Sequence, residues 1–371
     1  QEEFINKLSS KYDMSKIDYT DRSYCQYKCQ TEYYTSLKIV FLNFLYLFFI
    51  PIFITYCALV NATKNIFIKY EKEINNSAIF FGNDGSVIPE SVKVKYSIVN
   101  CEKQFMLKKK DIKFYIKEVF LRYPLLFYFQ AKILYKIAFY NWNINKYGPK
   151  ALIVTSEYSY TSSILTKYCE FSDVEHINVM HGDKLYYIRD SFFKFHKCYV
   201  WHKHYVELFC KLSADFNQFV IEIPQKFHII DDKIKSDNGD GRKIITYYLQ
   251  TQNEKEMISV RNNLSKLNGS YSIIIRVHPI YTDNRMAEKI FREYKIQYND
   301  VEINKSIADS DILISMYSTV LFQAYLNKKN IVIDDVSKPG LYDKLLDMES
   351  ILVNLPHIKL SEFLFQKVVF R

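Results

Sequence analysis

Hydrophobic and polar positions divide the chain into three stretches. Residues 1–37 are polar and charged, with no cleavable signal sequence expected among them. From Ile39 to Val60 the chain is nearly all apolar, interrupted by Asn43, Pro51, Thr55 and a few tyrosines. A run of 22 residues is long enough to cross a bilayer, which takes about 20, and Lys38 and Lys64 are spaced to anchor its ends. Pro51 removes a backbone donor in mid-run and favours a kink. The same stretch therefore also fits a helical hairpin, a helix lying in the membrane interface, or a helix buried in a core.

From Ser77 onward short apolar runs alternate with longer stretches of helical period. Ala78–Phe81 and 93–99 read as strands, 103–146 as helix, 151–154 as a buried strand after Gly148-Pro149, and 161–169 as helix. His176–Met180 and Cys198–Trp201 read as further strands. The polar segment Ile234–Gly241 reads as an interdomain linker. Beyond it the cycle restarts: strand 243–249, helix 254–267, strand 273–277, helix 285–294, a short helix 304–308, strand 312–314, helix 320–326 and strand 331–333. Strands separated by helices of this size imply parallel, doubly wound sheets. The expected architecture is α/β, with an N-terminal helical, membrane-associating segment over 1–76 and Rossmann-like domains over 77–233 and 241–371, facing each other across a cleft.

Composition narrows the chemistry. With 371 residues but only 8 Gly, the chain has neither a G-x-G-x-x-G nor a G-x-x-x-x-G-K-[ST] loop; Gly239 and Gly241 fall inside the linker. A nicotinamide Rossmann enzyme and a P-loop kinase are thereby disfavoured. A net charge of +9 suits an anionic partner such as a nucleotide, an anionic glycan or a membrane surface. The densest basic run, Lys108-Lys109-Lys110, reads as a solvated face and gives nucleic-acid binding little support. Cys25 and Cys29 have neither zinc nor redox spacing.

Ligands of parallel sheets bind beyond the carboxyl ends of strands, so the polar residues that follow strands are the candidates. Arg276-Val277-His278-Pro279 ends one predicted strand. Pro279 keeps His278 extended, which offers the imidazole to a departing phosphate with Arg276 adding charge nearby. Ser315-Met316-Tyr317-Ser318-Thr319 ends another, and its hydroxyls and free N–H groups at a helix start form an anion site. Thr251 and Gln252 follow the first strand of the second lobe. In the first lobe, Ser156-Glu157 and His181-Gly182-Asp183-Lys184 follow strands, and Asp183 or Glu157 is a candidate base for an acceptor hydroxyl. Asp309-Ser310-Asp311 precedes a strand and reads as turn chemistry. His202-Lys203-His204 has no third ligand for a metal.

These motifs resemble the bacterial sialyltransferases and related capsule and lipooligosaccharide transferases of the GT-B fold. The resemblance implies that His278 contacts the nucleotide phosphate and serves as general acid, while Ser318 and Thr319 bind phosphate. The acidic string that supplies the base in that family has no counterpart here. The His181-Gly182-Asp183-Lys184 segment, together with Arg276-Val277-His278-Pro279, is also similar to the CDP-glycerol glycerophosphotransferases. The expectation is an inverting, metal-independent transferase of surface polysaccharide synthesis. It would use a nucleotide-sugar donor, CMP-linked by preference, a glycan or lipid-linked acceptor and no separate cofactor, and would work at the inner face of the cytoplasmic membrane. A glycerophosphotransferase and a non-catalytic glycan-binding relative are the alternatives.

Overall fold

The structure, a computed structural model, describes residues 1–14, 16–64, 76–228 and 241–366. The expected linker Ile234–Gly241 lies outside the described residues except for Gly241. The chain forms two compact units, one made of Gln1–His181 and Tyr187–Pro224, the other of Gly182–Tyr186 and Gln225–Arg371.

The first unit carries β1 (Ser77–Phe81), β2 (Ser97–Asn100), β3 (Ala151–Val154), β4 (Glu175–Val179), β5 (Lys197–Val200) and β6 (Phe219–Ile221). They pair in parallel in the order β2-β1-β3-β4-β5-β6. The second unit carries β7 (Ile244–Tyr248), β8 (Ser272–Arg276), β9 (Lys295–Gln297), β10 (Ile312–Ser315), β11 (Asn330–Ile333) and β12 (Ile358–Lys359), ordered β12-β11-β10-β7-β8-β9 and again parallel. Central strands such as β3 and β7 are buried at every position, because helices cover both faces of a parallel sheet. In the second unit the chain moves from β7 to β8 on one side and later to β10 on the other. The carboxyl end of β7 is therefore the place where strand order reverses.

Two expected elements are corrected. Residues 93–95 end a helix, Glu90–Lys95, and the strand begins only at Ser97. The stretch 103–146 is not one helix. Residues 102–107 are irregular, because buried Asn side chains on the following helix take over their backbone partners. Asn143 bonds both the N–H and the carbonyl of Glu102, and Asn141 Nδ2 donates to the Met106 carbonyl at 3.1 Å. Helix Lys109–Tyr115 then widens by one residue per turn over Ile116–Phe120. It breaks near Pro124, and Phe127–Tyr147 forms a second helix capped by Gly148 at φ 56°.

Helix Tyr19–Thr31 belongs to the first unit and is buried along most of its length. Arg22 Nη1 donates to the carbonyls of Phe192 and Ser213, and Ser23 Oγ accepts from the Ile164 N–H. The apolar run forms one continuous helix, Ser36–Lys64, with Pro51 inside it. It is neither a hairpin nor a core helix: only 6% of its most apolar window is buried.

Candidate functional site

Three loops of the second unit meet at the reversal point, and Gln250 ties them together. Its N–H donates to Gln252 Oε1 at 2.5 Å, its carbonyl accepts from Thr282 Oγ1 at 3.1 Å, and its Nε2 donates to Ser318 Oγ at 3.1 Å. The residues after β7, β8 and β10 thus form one hydrogen-bonded rim. Thr251 joins it, with its hydroxyl 2.8 Å from that of Tyr317.

His278 stands in this rim just beyond β8. Its Nδ1 accepts from the N–H groups of Ile280 and Tyr281 at 3.1 and 3.2 Å, and its ring stacks on Tyr281 with centroids 4.5 Å apart. An imidazole nitrogen that accepts two N–H groups carries no proton, which assigns the proton to Nε2. Partial burial pushes the pKa of His278 below the ordinary histidine value. At neutral pH the side chain is therefore a neutral donor, aimed through Nε2–H. Pro279, exposed, follows it and lets the chain turn.

Ser318 caps helix Thr319–Leu326, accepting from the Val320 N–H at 3.3 Å. Thr319 is half-buried at the first helical position. A helix start with unsatisfied N–H groups favours an anion. Gln252 is 7% exposed, and its Nε2 has no hydrogen-bond partner among the described residues. A buried amide donor left open in this way costs about 1–3 kcal/mol until a partner arrives.

Two expected phosphate contacts are placed elsewhere. Arg276 is 7% exposed, and its guanidinium donates to Gln297 Oε1 and the Val301 carbonyl, both at 2.8 Å. A buried guanidinium must satisfy its donors within the protein, and this one fastens β8 to β9 and the turn beyond it. Ser315 is fully buried and donates to the Tyr248 carbonyl at 2.8 Å, tying β10 to β7.

In the first unit, Glu157 and His181 end β3 and β4 side by side. Glu157 is fully buried; its Oε2 accepts from Asn178 Nδ2 at 3.0 Å, and its Oε1 lies 3.9 Å from His181 Nδ1. The imidazole is 43% exposed while the carboxylate behind it is 1% exposed. Helix Tyr19–Thr31 holds the Glu157 backbone, with Gln26 Nε2 donating to the carbonyls of Glu157 and Arg189 at 2.8 Å. Asp183, the other candidate base, lies in the short segment grouped with the second unit, where Tyr186 N–H donates to the Met348 carbonyl. Its carboxylate accepts from the Lys184 N–H at 2.8 Å.

A cavity of about 460 Å³ opens beside this pair, lined by Gln30, Tyr33, Tyr34, Tyr158, Tyr187 and Arg189 among others. Tyr158 is shared: its ring stands edge-on to that of His181 with centroids 6.3 Å apart. A cavity of about 610 Å³ in the second unit lies at the amino ends of β11 and β12 and contains none of the rim residues.

The remaining motifs have structural places. Asp311 precedes β10 and accepts from the Ile244 N–H, while Asp309 pairs with Lys305 at 3.3 Å. His202 and His204 lie at the start of helix Lys203–Lys211 rather than on a strand, His202 Nδ1 accepting from the His204 N–H. Among the described residues no group of three His, Cys, Asp or Glu side chains is arranged to hold a metal.

Gln250, Asn178 and Gln26 were not legible as site residues. Gln250 had a signal, its place directly after a strand. Asn178 sits inside a strand and Gln26 in a polar N-terminal helix, where nothing marks them.

No family model and no curated protein sequence matches the chain. Solved structures overlap with it loosely. They include the wall teichoic acid polymerase TagF, 13% identical over 84% of this chain and 88% of that one with a TM-score of 0.44. The lipopolysaccharide outer core galactosyltransferase WaaB is 12% identical over 83% and 88%, with a TM-score of 0.40. The UDP-GlcNAc 2-epimerase of Neisseria meningitidis is 9% identical over 72% and 84%, with a TM-score of 0.44. None of these overlaps carries an assignment, which rests on this chain's own side chains.

Proposed function

We propose that the protein is an inverting glycosyltransferase that takes a nucleotide-activated sugar as donor and a glycan hydroxyl as acceptor. The observation that carries this reading is the rim of the second unit: a neutral His278 donor, a capped helix start and an open Gln252 amide, all joined through Gln250 at the reversal point of a parallel sheet. Such a set suits the phosphate of a nucleotide donor without a glycine-rich loop.

In the reaction, the acceptor oxygen attacks the anomeric carbon, its bond to that carbon forms, and the bond from that carbon to the phosphate oxygen breaks. The hydroxyl proton goes to His181, whose imidazolium is stabilised by the buried Glu157 carboxylate behind it. Glu157 is itself too deep to reach an acceptor, so it acts as a positioning residue. His278 gives a hydrogen bond through Nε2 to the leaving phosphate, and its depressed pKa argues against full proton transfer from an imidazolium. The tyrosine-lined cavity beside His181 takes the acceptor sugar, since aromatic faces pack well on the apolar faces of pyranose rings.

The resemblance of these motifs to the bacterial sialyltransferases favours a CMP-linked donor, a nonulosonate first, and a metal-independent reaction. Transfer of phosphoglycerol from CDP-glycerol is the second reading, favoured by His181-Gly182-Asp183-Lys184. The test offers CMP-sialic acid, CDP-glycerol and a set of UDP-sugars to the purified protein, reading the released nucleotide by chromatography and the acceptor by mass. His181→Ala and His278→Ala are each expected to lower turnover by roughly 10²-fold or more with the fold intact. Near-normal turnover by either folded variant overturns its role, and mass gain from CDP-glycerol alone selects the second reading.

A further inference from the structure

Helix Ser36–Lys64 has two opposite faces, and only one is used by the protein. The inner face lies along helix Phe127–Tyr147. Asn43 Oδ1 accepts from the Tyr128 N–H at 3.1 Å, Tyr46 packs on Tyr128, Phe53 packs between Phe105 and Tyr135, and Cys57 is fully buried. Asn61 Nδ2 closes the series by donating to the Leu107 carbonyl at 2.5 Å. The outer face is a stripe of Leu37, Phe41, Phe44, Phe48 and Ile52, each between 53% and 80% exposed. Their spacing of three and four residues puts them on one side of a helix with 3.6 residues per turn.

Both ends of the helix are flanked by cations. Lys38 lies in its first turn, its ammonium 3.7 Å from the centre of the Tyr34 ring. At the other end the bond from Asn61 to Leu107 sets Lys108, Lys109 and Lys110, all exposed, beside the last turns. A second copy of the chain covering the stripe in antiparallel fashion would bring these cations together. An anionic lipid surface complements them.

We propose that this stripe docks the protein on an anionic bilayer, with the helix lying in the plane of the interface instead of crossing it. Crossing is opposed by the inner face. It is fastened along its length to helix Phe127–Tyr147, whose Gln130, Asn141 and Asn143 are buried and hydrogen-bonded inside the first unit. A helix that crossed would have to abandon those contacts or draw polar side chains into hydrocarbon. Half-immersion satisfies both faces at once, as amphipathic interfacial helices do. The apolar helix starts directly after Tyr33 and Tyr34, which line the cavity beside His181. Docking therefore sets that cavity at the lipid surface, where a lipid-linked glycan presents its sugars.

The test needs no enzymatic activity, so it stands apart from the functional reading. The full chain is sedimented with vesicles of phosphatidylglycerol and phosphatidylethanolamine, and with vesicles of phosphatidylcholine. Binding is expected to be at least 10-fold tighter to the anionic vesicles. A Phe41→Asp, Phe44→Asp, Phe48→Asp variant should stay in solution with an unchanged circular dichroism spectrum and melting temperature, since all three side chains are exposed. Lys109→Glu with Lys110→Glu should weaken binding to anionic vesicles alone. Tryptophan fluorescence of a Phe48→Trp variant should be quenched most by lipids brominated at shallow acyl positions. Deepest quenching at the bilayer centre would overturn the in-plane placement. Sedimentation of the triple-Asp variant like wild type would overturn the docking. A dimer in solution that the triple-Asp variant breaks, with no vesicle binding, would assign the stripe to a second copy.

Discussion

At the scale of single residues, the candidate site depends on a few side chains whose position in sequence says little about their duty. Arg276 and His278 are two residues apart, yet the guanidinium is spent on Gln297 and Val301 while the imidazole stands in the rim. Gln250 uses its N–H, its carbonyl and its amide on three different partners. Replacing it with alanine removes the bond to Ser318 and frees that loop. Gln250→Ala is expected to weaken nucleotide binding by about 10-fold, the loss of roughly 1.4 kcal/mol, with little change in melting temperature. Isothermal titration with CMP checks it, and unchanged affinity would remove Gln250 from the site. Asn178 offers a parallel case in the first unit, since its side chain fixes the carboxylate that faces His181.

At the scale of elements, the packing of β4 against two helices runs through one buried histidine. His176 is fully buried, with Nδ1 2.8 Å from the Thr166 hydroxyl on helix Ser162–Phe171 and Nε2 3.2 Å from the Tyr140 hydroxyl on helix Phe127–Tyr147. Burial, with His196 nearby, lowers its pKa to about 3. The unfolded chain binds the proton near pH 6.5 and the folded chain refuses it until about 3. This contribution to stability is therefore complete above pH 6.5 and is lost as pH falls through that window, by about 1.4 kcal/mol per pH unit. Urea unfolding should accordingly show the wild type losing roughly 2–3 kcal/mol between pH 6.5 and 4.5 from this group alone. In His176→Gln that part of the pH dependence should vanish. Equal pH dependence in the two proteins would show that His176 is not the group involved.

Elements also explain where reading the sequence fell short. The strands β6, β9 and β12 have three, three and two residues, too few for a period to emerge. The run 102–107 has helical composition but is irregular, because Asn141 and Asn143, some forty residues on, offer its backbone the hydrogen bonds a helix would have supplied. Central strands were legible for the opposite reason. Ala151–Val154 and Ile312–Ser315 are buried at every position, and that demand writes itself into composition.

At the scale of the whole molecule, each unit has its own core. One gathers Ala78, Phe80, Ile153, Ile177 and Val179, the other Ile245, Tyr247, Ile275, Ile314 and Val332. The hydrogen-bonded rim of Gln250, Thr282 and Ser318 lies entirely on the second. Calorimetry is expected to resolve two transitions, of which CMP raises only the one belonging to the second unit. At a hundredfold excess over Kd the gain is about 2.7 kcal/mol. A uniform rise of both transitions would mean that the nucleotide is held by both units.

The alternating runs of Ile, Leu and Val determined two parallel α/β units, and the apolar stretch after Lys38 determined a helical segment whose course, straight or turned back at Pro51, it left open. Each follows from local period and composition, which any stretch of chain carries by itself. The sequence also pointed to His278, Ser318 and Thr319, because residues after strands of a parallel sheet stand where ligands bind. What only the tertiary structure decided was the division of labour. It turned Arg276 and Ser315 inward, buried Glu157 behind His181, and left one face of the long helix bare. Those outcomes depend on partners far along the chain: Gln297 for Arg276, Asn178 and Gln26 for Glu157, Tyr128 and Leu107 for the helix. The physical reason is that a buried polar group must find its hydrogen bonds in space, and the sequence around it does not say where they are.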